Sequence, residues 1–283
     1  MKLITDIAAL RQYLAEVRQD TVALVPTMGC LHEGHLSLIR KAKRLADVVV
    51  VSIYVNPLQF GVGEDFERYP RTMKQDEDLC AHEGVDVIFA PHNLYAADGA
   101  KVTLKVDDLD QVLCGAARPR HFDGVVTVVA MLFHIVQPDI AIFGEKDWQQ
   151  LTILRRMVAD LHMPVRMVAG ELVREDDGLA MSSRNRYLSD AERQKALSLS
   201  QALRAMQERA EVQASRSDLI CLGMGMLHEA GLVVDYLDIL DEQTLQDSGD
   251  VPSAQARIFV AAKLGQTRLI DNMPLFEQSE IST

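Results

Sequence analysis

Two histidines three residues apart, His32 and His35, stand in the run Thr27-Met28-Gly29-Cys30-Leu31-His32-Glu33-Gly34-His35. On the first turn of a helix that spacing turns both imidazoles toward one point, where they can donate hydrogen bonds to a phosphate as charge builds on it. The helical zinc pair is different: its histidines are four apart with a glutamate beside the first. Gly29 and Gly34 let the backbone approach a nucleotide with no Cβ in the way. A second group, Gly144-Glu145-Lys146-Asp147, offers a mobile cationic point charge for an α-phosphate and a carboxylate for ribose hydroxyls or a magnesium-bound water. A third, Met181-Ser182-Ser183-Arg184-Asn185-Arg186, brings hydroxyl donors and guanidinium groups that match phosphate oxygens in pairs. Asn56 and Gln59 are amides suited to reading a hydroxyl or a carboxylate. Taken singly, each has a plain alternative: a capping histidine, a solvated turn, an interdomain linker, or an asparagine that satisfies its own turn.

Such groups need a frame. Segments 22–26, 47–55, 85–90, 140–143 and 165–172, most of them continuous apolar runs, read as strands covered on both faces, and helical patterns at 35–46, 72–82, 125–135 and 148–161 fall between them. Alternation of this kind predicts an α/β, Rossmann-like parallel sheet, whose ligands bind outside the carboxyl ends of the strands. The His32 and Lys146 motifs both follow strands. There the backbone N–H groups and the positive end of a helix favour an anion. After Arg174 the texture changes, and Ser189 with Glu192 forms a capping box that opens a helix. The expected organisation is a nucleotide- and acid-binding domain over 1–175 and a smaller, lid-like α+β domain over 176–283, with two helices and strands at 234–240 and 257–262.

Composition excludes other classes. The chain has 283 residues, 48% of them hydrophobic, with a net charge of −12, so it can bury a core but offers no basic field for nucleic acid or an anionic membrane. Lys2 and Asp6 interrupt any apolar leader and no apolar run approaches the ~20 residues of a membrane span, so a cytoplasmic address is expected. The four cysteines, Cys30, Cys80, Cys114 and Cys221, are scattered and read as free thiols, and side-chain spacing encodes no metal site.

The longer string from Pro26 to Leu38 resembles the first motif of the pantothenate synthetases, members of the H-x-G-H nucleotidyltransferase superfamily that also includes the class I aminoacyl-tRNA synthetases. The family usually has alanine where this chain has Cys30. The segments Arg118-Pro119-Arg120-His121-Phe122-Asp123-Gly124-Val125, Gly144-Glu145-Lys146-Asp147-Trp148-Gln149-Gln150, Met181-Ser182-Ser183-Arg184-Asn185 and Arg268-Leu269-Ile270-Asp271-Asn272 follow the family's motifs in order. Trp148 stands where another aromatic is common.

The resemblance implies that ATP is held by Met28, Gly29, Cys30, Leu31, His32, Glu33, Gly34 and His35, by Gly144, Glu145, Lys146 and Asp147, by the backbone of Val173, and by Met181, Ser182, Ser183 and Arg184. It implies that Gln59 contacts pantoate and β-alanine and that Gln150 binds pantoate; Asn56 and Arg118 are expected nearby. Pantoate would become an acyl-adenylate with loss of pyrophosphate, and β-alanine would then displace AMP. His32, His35, Lys146 and Arg184 would stabilise phosphate charge, Mg²⁺ would bridge the phosphates, and the chain would form a homodimer. Two other classes remain open at this point: a transferase that keeps the nucleotide in a dinucleotide product, and a non-catalytic nucleotide sensor. Retention of both histidines with Lys146 and Arg184 argues against the sensor.

Overall fold

Val22–Thr27 and Val48–Ile53 are apolar on both faces, which suits strands buried in the middle of a sheet. The computed structural model describes residues 1–212, 214–247 and 249–276. In chain order its first elements are β1 (Lys2–Ile4), α1 (Ile7–Glu16), β2 (Val22–Thr27), α2 (Glu33–Leu45), β3 (Val48–Ile53), α3 (Met73–His82) and β4 (Val87–Phe89). They are followed by α4 (Leu113–Ala117), α5 (His121–Val136), β5 (Ile140–Gly144), α6 (Trp148–Asp160) and β6 (Arg166–Gly170). Then come α7 (Asp190–Ala196), α8 (Ser198–Ala210), α9 (Arg216–Glu229), β7 (Val233–Asp241), β8 (Ala256–Leu264) and β9 (Thr267–Pro274). Among the described residues, no helix is long and apolar enough to cross a membrane.

The chain divides into two compact units. The first holds residues 1–107, 118–145 and 153–172; the second holds 108–117, 146–152 and the chain from 173 onward. In the first unit the strands form one parallel sheet in the order β1-β4-β3-β2-β5-β6, with α2 packed through Leu36, Ile39 and Ala42 onto Val25, Val49, Val51 and Ile142. This is the expected α/β sheet. β2 lies between β3 and β5, with Leu24 opposite Ala141, so Thr27 and Gly144 end at the same level of the same edge. The strand order reverses between these two strands, the place where such sheets bind ligands.

The second unit has a three-stranded antiparallel sheet, β7-β8-β9, covered by α8 and α9. The Ser189 and Glu192 capping box is present, with Ser189 N–H donating to Glu192 at 2.9 Å. Sequence patterning missed β9 here, and with it a third helix. Arg268, Asp271 and Asn272 break the apolar pattern of β9 because their partners come from distant segments.

Candidate active site

At the end of β2, Gly29 and Cys30 both take positive φ, 81° and 53°, and swing the chain into α2. A Cβ on Gly29 would lie 2.9 Å from Ile53 Cγ2 and 3.0 Å from Asp76 Oδ2, so the turn needs glycine there. Asp76, on α3 and only 1% exposed, holds the turn: its carboxylate accepts the Cys30 N–H at 2.9 Å and the Leu31 N–H at 2.8 Å. Thr72 donates its hydroxyl to the same carboxylate at 3.2 Å, and Thr27 Oγ1 accepts the Gly29 N–H at 3.1 Å. The amides of Gly29, Cys30 and Leu31 are therefore satisfied within the protein.

His32 is the residue that precedes α2, and its ring lies 4.1 Å from that of His35, centroid to centroid. The His32 N–H points at His35 Nδ1 across 3.4 Å. A nitrogen that accepts carries no proton, so neutral His35 is protonated on Nε2, the tautomer that can donate to a phosphate oxygen. Glu33 pairs with Arg40, which also reaches Glu83 at 2.6 Å.

Beyond β3, Asn56 caps a 3₁₀ turn at Pro57–Gln59. Helix α5 presses on this turn so closely that a Cβ on Gly124 would stand 2.3 Å from the Leu58 carbonyl oxygen. Asn56, 1% exposed, donates to Gly124 O at 3.0 Å and to Gln59 Oε1 at 3.1 Å, and accepts from Tyr95 OH at 2.7 Å. Its amide is thus committed locally and fixes the orientation of Gln59. With Oε1 occupied, Gln59 presents its Nε2 donor toward Met28 Sδ, 3.1 Å away, and so toward the His32 turn.

Arg118 binds Glu64 through two nitrogens at 2.6 and 2.5 Å and the Gln59 carbonyl at 3.2 Å, while His121 Nδ1 reaches the same carbonyl at 2.7 Å. Burial alone would raise the Glu64 carboxyl, but the hydrogen bonds and charge of Arg118 outweigh it and hold the group down at about 2. Phe122 is buried.

The second unit carries the other motifs. Lys146 Nζ lies 3.6 Å from Asp147 Oδ1, with about a fifth of the lysine side chain exposed (21%). The adjacent glutamines play different parts. Gln149 is buried and ties down the 109–114 segment, donating to Leu109 O and Val112 O at 2.9 Å each and accepting from Cys114 N–H at 2.9 Å, whereas Gln150 is half-buried. Trp148 stacks under the Arg257 guanidinium at 3.4 Å and donates to Glu242 O at 2.7 Å, which is what this indole does at a position open to other aromatics.

From Val173 the chain turns back on itself. Arg174 pairs with Ala180 as an antiparallel bridge, and Met181 N–H bonds Val173 O at 3.0 Å. Ser182 then caps a 3₁₀ turn at Ser183–Tyr187, accepting from Arg184 N–H at 3.2 Å and keeping its own proton to donate. Among the described residues, no three His, Cys, Asp or Glu side chains cluster as a metal site.

The structure thus brings His32, His35, Asn56, Gln59 and Arg118 into one region of the first unit, and Lys146, Asp147, Val173 and Met181–Arg184 into the second. Sequence reasoning missed Asp76, Tyr95 and Glu64, and it gave Asp271 and Asn272 no role beyond their place in a family motif. Asp76, in Lys74-Gln75-Asp76-Glu77-Asp78, looks like solvated helix surface, and nothing local shows that amides 45 and 46 residues away need an acceptor.

A family model described as pantoate-beta-alanine ligase matches residues 2–274. The chain is 51% identical over 271 residues to the pantothenate synthetase of Nocardioides sp., covering 92% of this chain and 80% of that protein. It is 49% identical over 277 residues to the pantothenate synthetase of Acidithiobacillus ferrooxidans, covering 96% and 99%. The crystal structure of pantothenate synthetase from Thermus thermophilus superposes with a TM-score of 0.93 at 45% identity, over 98% of this chain and all of that one (100%). A pantoate-beta-alanine ligase from Francisella tularensis, solved with beta-gamma ATP and beta-alanine, superposes at 0.82 with 32% identity, over 97% of this chain and 98% of that one.

Proposed function

Because the chain belongs to the pantoate-β-alanine ligase family, it is an enzyme that forms pantothenate from pantoate and β-alanine at the expense of ATP, and we propose that it does so through a pantoyl-adenylate. One carboxylate oxygen of pantoate attacks the α-phosphorus of ATP, and the bond to pyrophosphate breaks. The β-alanine nitrogen then attacks the activated acyl carbon, and AMP departs with the bonding electron pair. A free carboxylate is a poor electrophile; adenylation supplies the leaving group, and holding acid and nucleotide in line removes much of the entropic barrier.

His35 Nε2–H and His32 donate to the α-phosphate as charge grows on it. Lys146 adds a point charge there, and Ser182, Ser183 and Arg184 take the departing pyrophosphate. Gln59 donates its Nε2–H to pantoate and then meets β-alanine, Gln150 holds pantoate, and Arg118 braces the Gln59 turn from behind through the Gln59 carbonyl. No enzyme nucleophile enters the sequence. Magnesium fits as an ion held mainly by the triphosphate: it takes one or two carboxylates together with phosphate oxygens and waters, and Asp147, 48% exposed, is a single carboxylate of that kind. When bound it draws negative charge off the phosphates. A homodimer and a cytoplasmic address belong to the same reading, on the strength of the family likeness.

The tautomer of His35, fixed by the His32 N–H at its Nδ1, carries the mechanism. His35→Ala should lower pantoate-dependent ATP–pyrophosphate exchange by about 100- to 1,000-fold, the usual loss when one donor to a developing oxyanion is removed, with an unchanged circular dichroism spectrum. Exchange at the parent rate in that variant removes His35 from the chemistry.

A further inference from the structure

The Arg268-Leu269-Ile270-Asp271-Asn272 motif carries no role in the mechanism above, yet two of its side chains are among the most buried polar groups of the second unit, Asp271 at 3% and Asn272 at 4% exposure. Both lie on β9, where consecutive side chains leave from opposite faces. Asp271 accepts both terminal nitrogens of Arg174, at 2.7 and 3.0 Å. Arg174 also donates to Gly178 O at 3.1 Å and pairs with Ala180, so this ion pair fixes the root of the turn that leads into Met181–Arg184. Asn272 donates from Nδ2 to the Lys146 carbonyl at 2.9 Å, while its Oδ1 accepts from the buried Arg257 at 2.7 Å. Arg257 is in turn fixed between Trp148 and Glu242. Asp271 also feels the charge of Lys146, which opposes the rise that burial imposes on its carboxyl.

We propose that Asp271 and Asn272 are positioning residues for adenylation: adjacent on one strand, they anchor the Lys146 turn and the Met181–Arg184 loop in a fixed relation. Strand β9 is braced on β8 over its whole length, from Thr267 opposite Leu264 to Pro274 opposite Arg257. A rigid strand is thus the common datum for two loops that meet different phosphates. The inference rests on the roles given above to Lys146 and Arg184.

A double-mutant cycle tests it. Asn272→Asp keeps the acceptor for Arg257 but replaces the donor to Lys146 O with a second acceptor; Asn272→Ala removes both without adding charge. Either should lower kcat for pantoate-dependent ATP–pyrophosphate exchange by about 10- to 100-fold, the cost of a misplacement near 1 Å, with KM for pantoate within about twofold. In a Lys146→Ala background the same changes should cost less than about threefold, because the group they position is gone. The Asp271→Asn change should behave in the same way against Arg184→Ala. Full multiplicative losses in the Lys146→Ala and Arg184→Ala backgrounds, or parent-like exchange in well-folded Asn272→Asp and Asn272→Ala, would overturn the proposal. Lys146→Ala with unimpaired exchange would instead overturn the role of Lys146 itself, and the Asn272 half of the inference with it.

Discussion

Replacing Asp76 by asparagine probes the turn that carries both histidines. The carboxylate is 1% exposed and accepts two backbone N–H groups at 2.9 and 2.8 Å and the Thr72 hydroxyl at 3.2 Å. Asparagine keeps a single acceptor, so its NH₂ must face one of the two amides and leave that amide unsatisfied in the interior. One orphaned buried N–H costs about 1–3 kcal/mol, and turning the remaining charge-assisted bonds into neutral ones costs about 1 kcal/mol more. Relief from burying a charge offsets part of this, giving a net loss of about 2–4 kcal/mol, within the 5–15 kcal/mol stability usual for a folded domain. The variant should therefore fold, with a lower urea midpoint and an unchanged slope. Because the two amides that share this acceptor belong to the two residues before His32, exchange should also fall by about 10- to 100-fold while KM for β-alanine moves little. Asp76→Asn with a parent-like midpoint and parent-like exchange would refute the account of how this turn is held.

Other perturbations follow from the same geometry. Gly124→Ala places a methyl group 2.3 Å from Leu58 O and 2.7 Å from Gln59 N, atoms of backbone that cannot swing aside. Steady-state kinetics should show KM for pantoate and β-alanine rising more than KM for ATP, with a stability loss of about 1–3 kcal/mol. Glu64 has its carboxyl depressed from an ordinary 4.5 to about 2, so its ion pair with Arg118 contributes stability that is full above pH ~4.5 and fades as pH falls toward 2. Glu64→Gln should cost on the order of 1–3 kcal/mol at neutral pH, and its denaturation midpoint should converge with the parent's on acidification; a gap that stays constant down to pH ~2 contradicts the pairing.

What could be read from the sequence divides along physical lines. β2, β3 and β5 are continuous apolar runs, and the Ser189 capping box is a local pattern, so periodicity and capping chemistry suffice for them. β1 is short and largely exposed, and gives no such signal. In the candidate site, types and spacing pointed to His32, His35, Gln59 and Lys146 as candidates, because donors to phosphate and carboxylate are few in kind. The groups that hold them were hidden. Asp76, Asp271 and Asn272 are buried polar residues whose partners lie 46, 97 and 126 positions away along the chain, and only the folded backbone brings them together. Segments 108–117 and 146–152 likewise join the second unit through tertiary bonds such as those of Gln149 and Trp148, which no local pattern announces.

The acyl-adenylate can be followed by its oxygen. Pantoate labelled with ¹⁸O in its carboxylate, turned over with ATP, Mg²⁺ and β-alanine, should yield AMP carrying one labelled oxygen per molecule, with equal amounts of AMP, pyrophosphate and pantothenate. Unlabelled AMP, or a product that retains the nucleotide, would contradict attack of the carboxylate on the α-phosphorus.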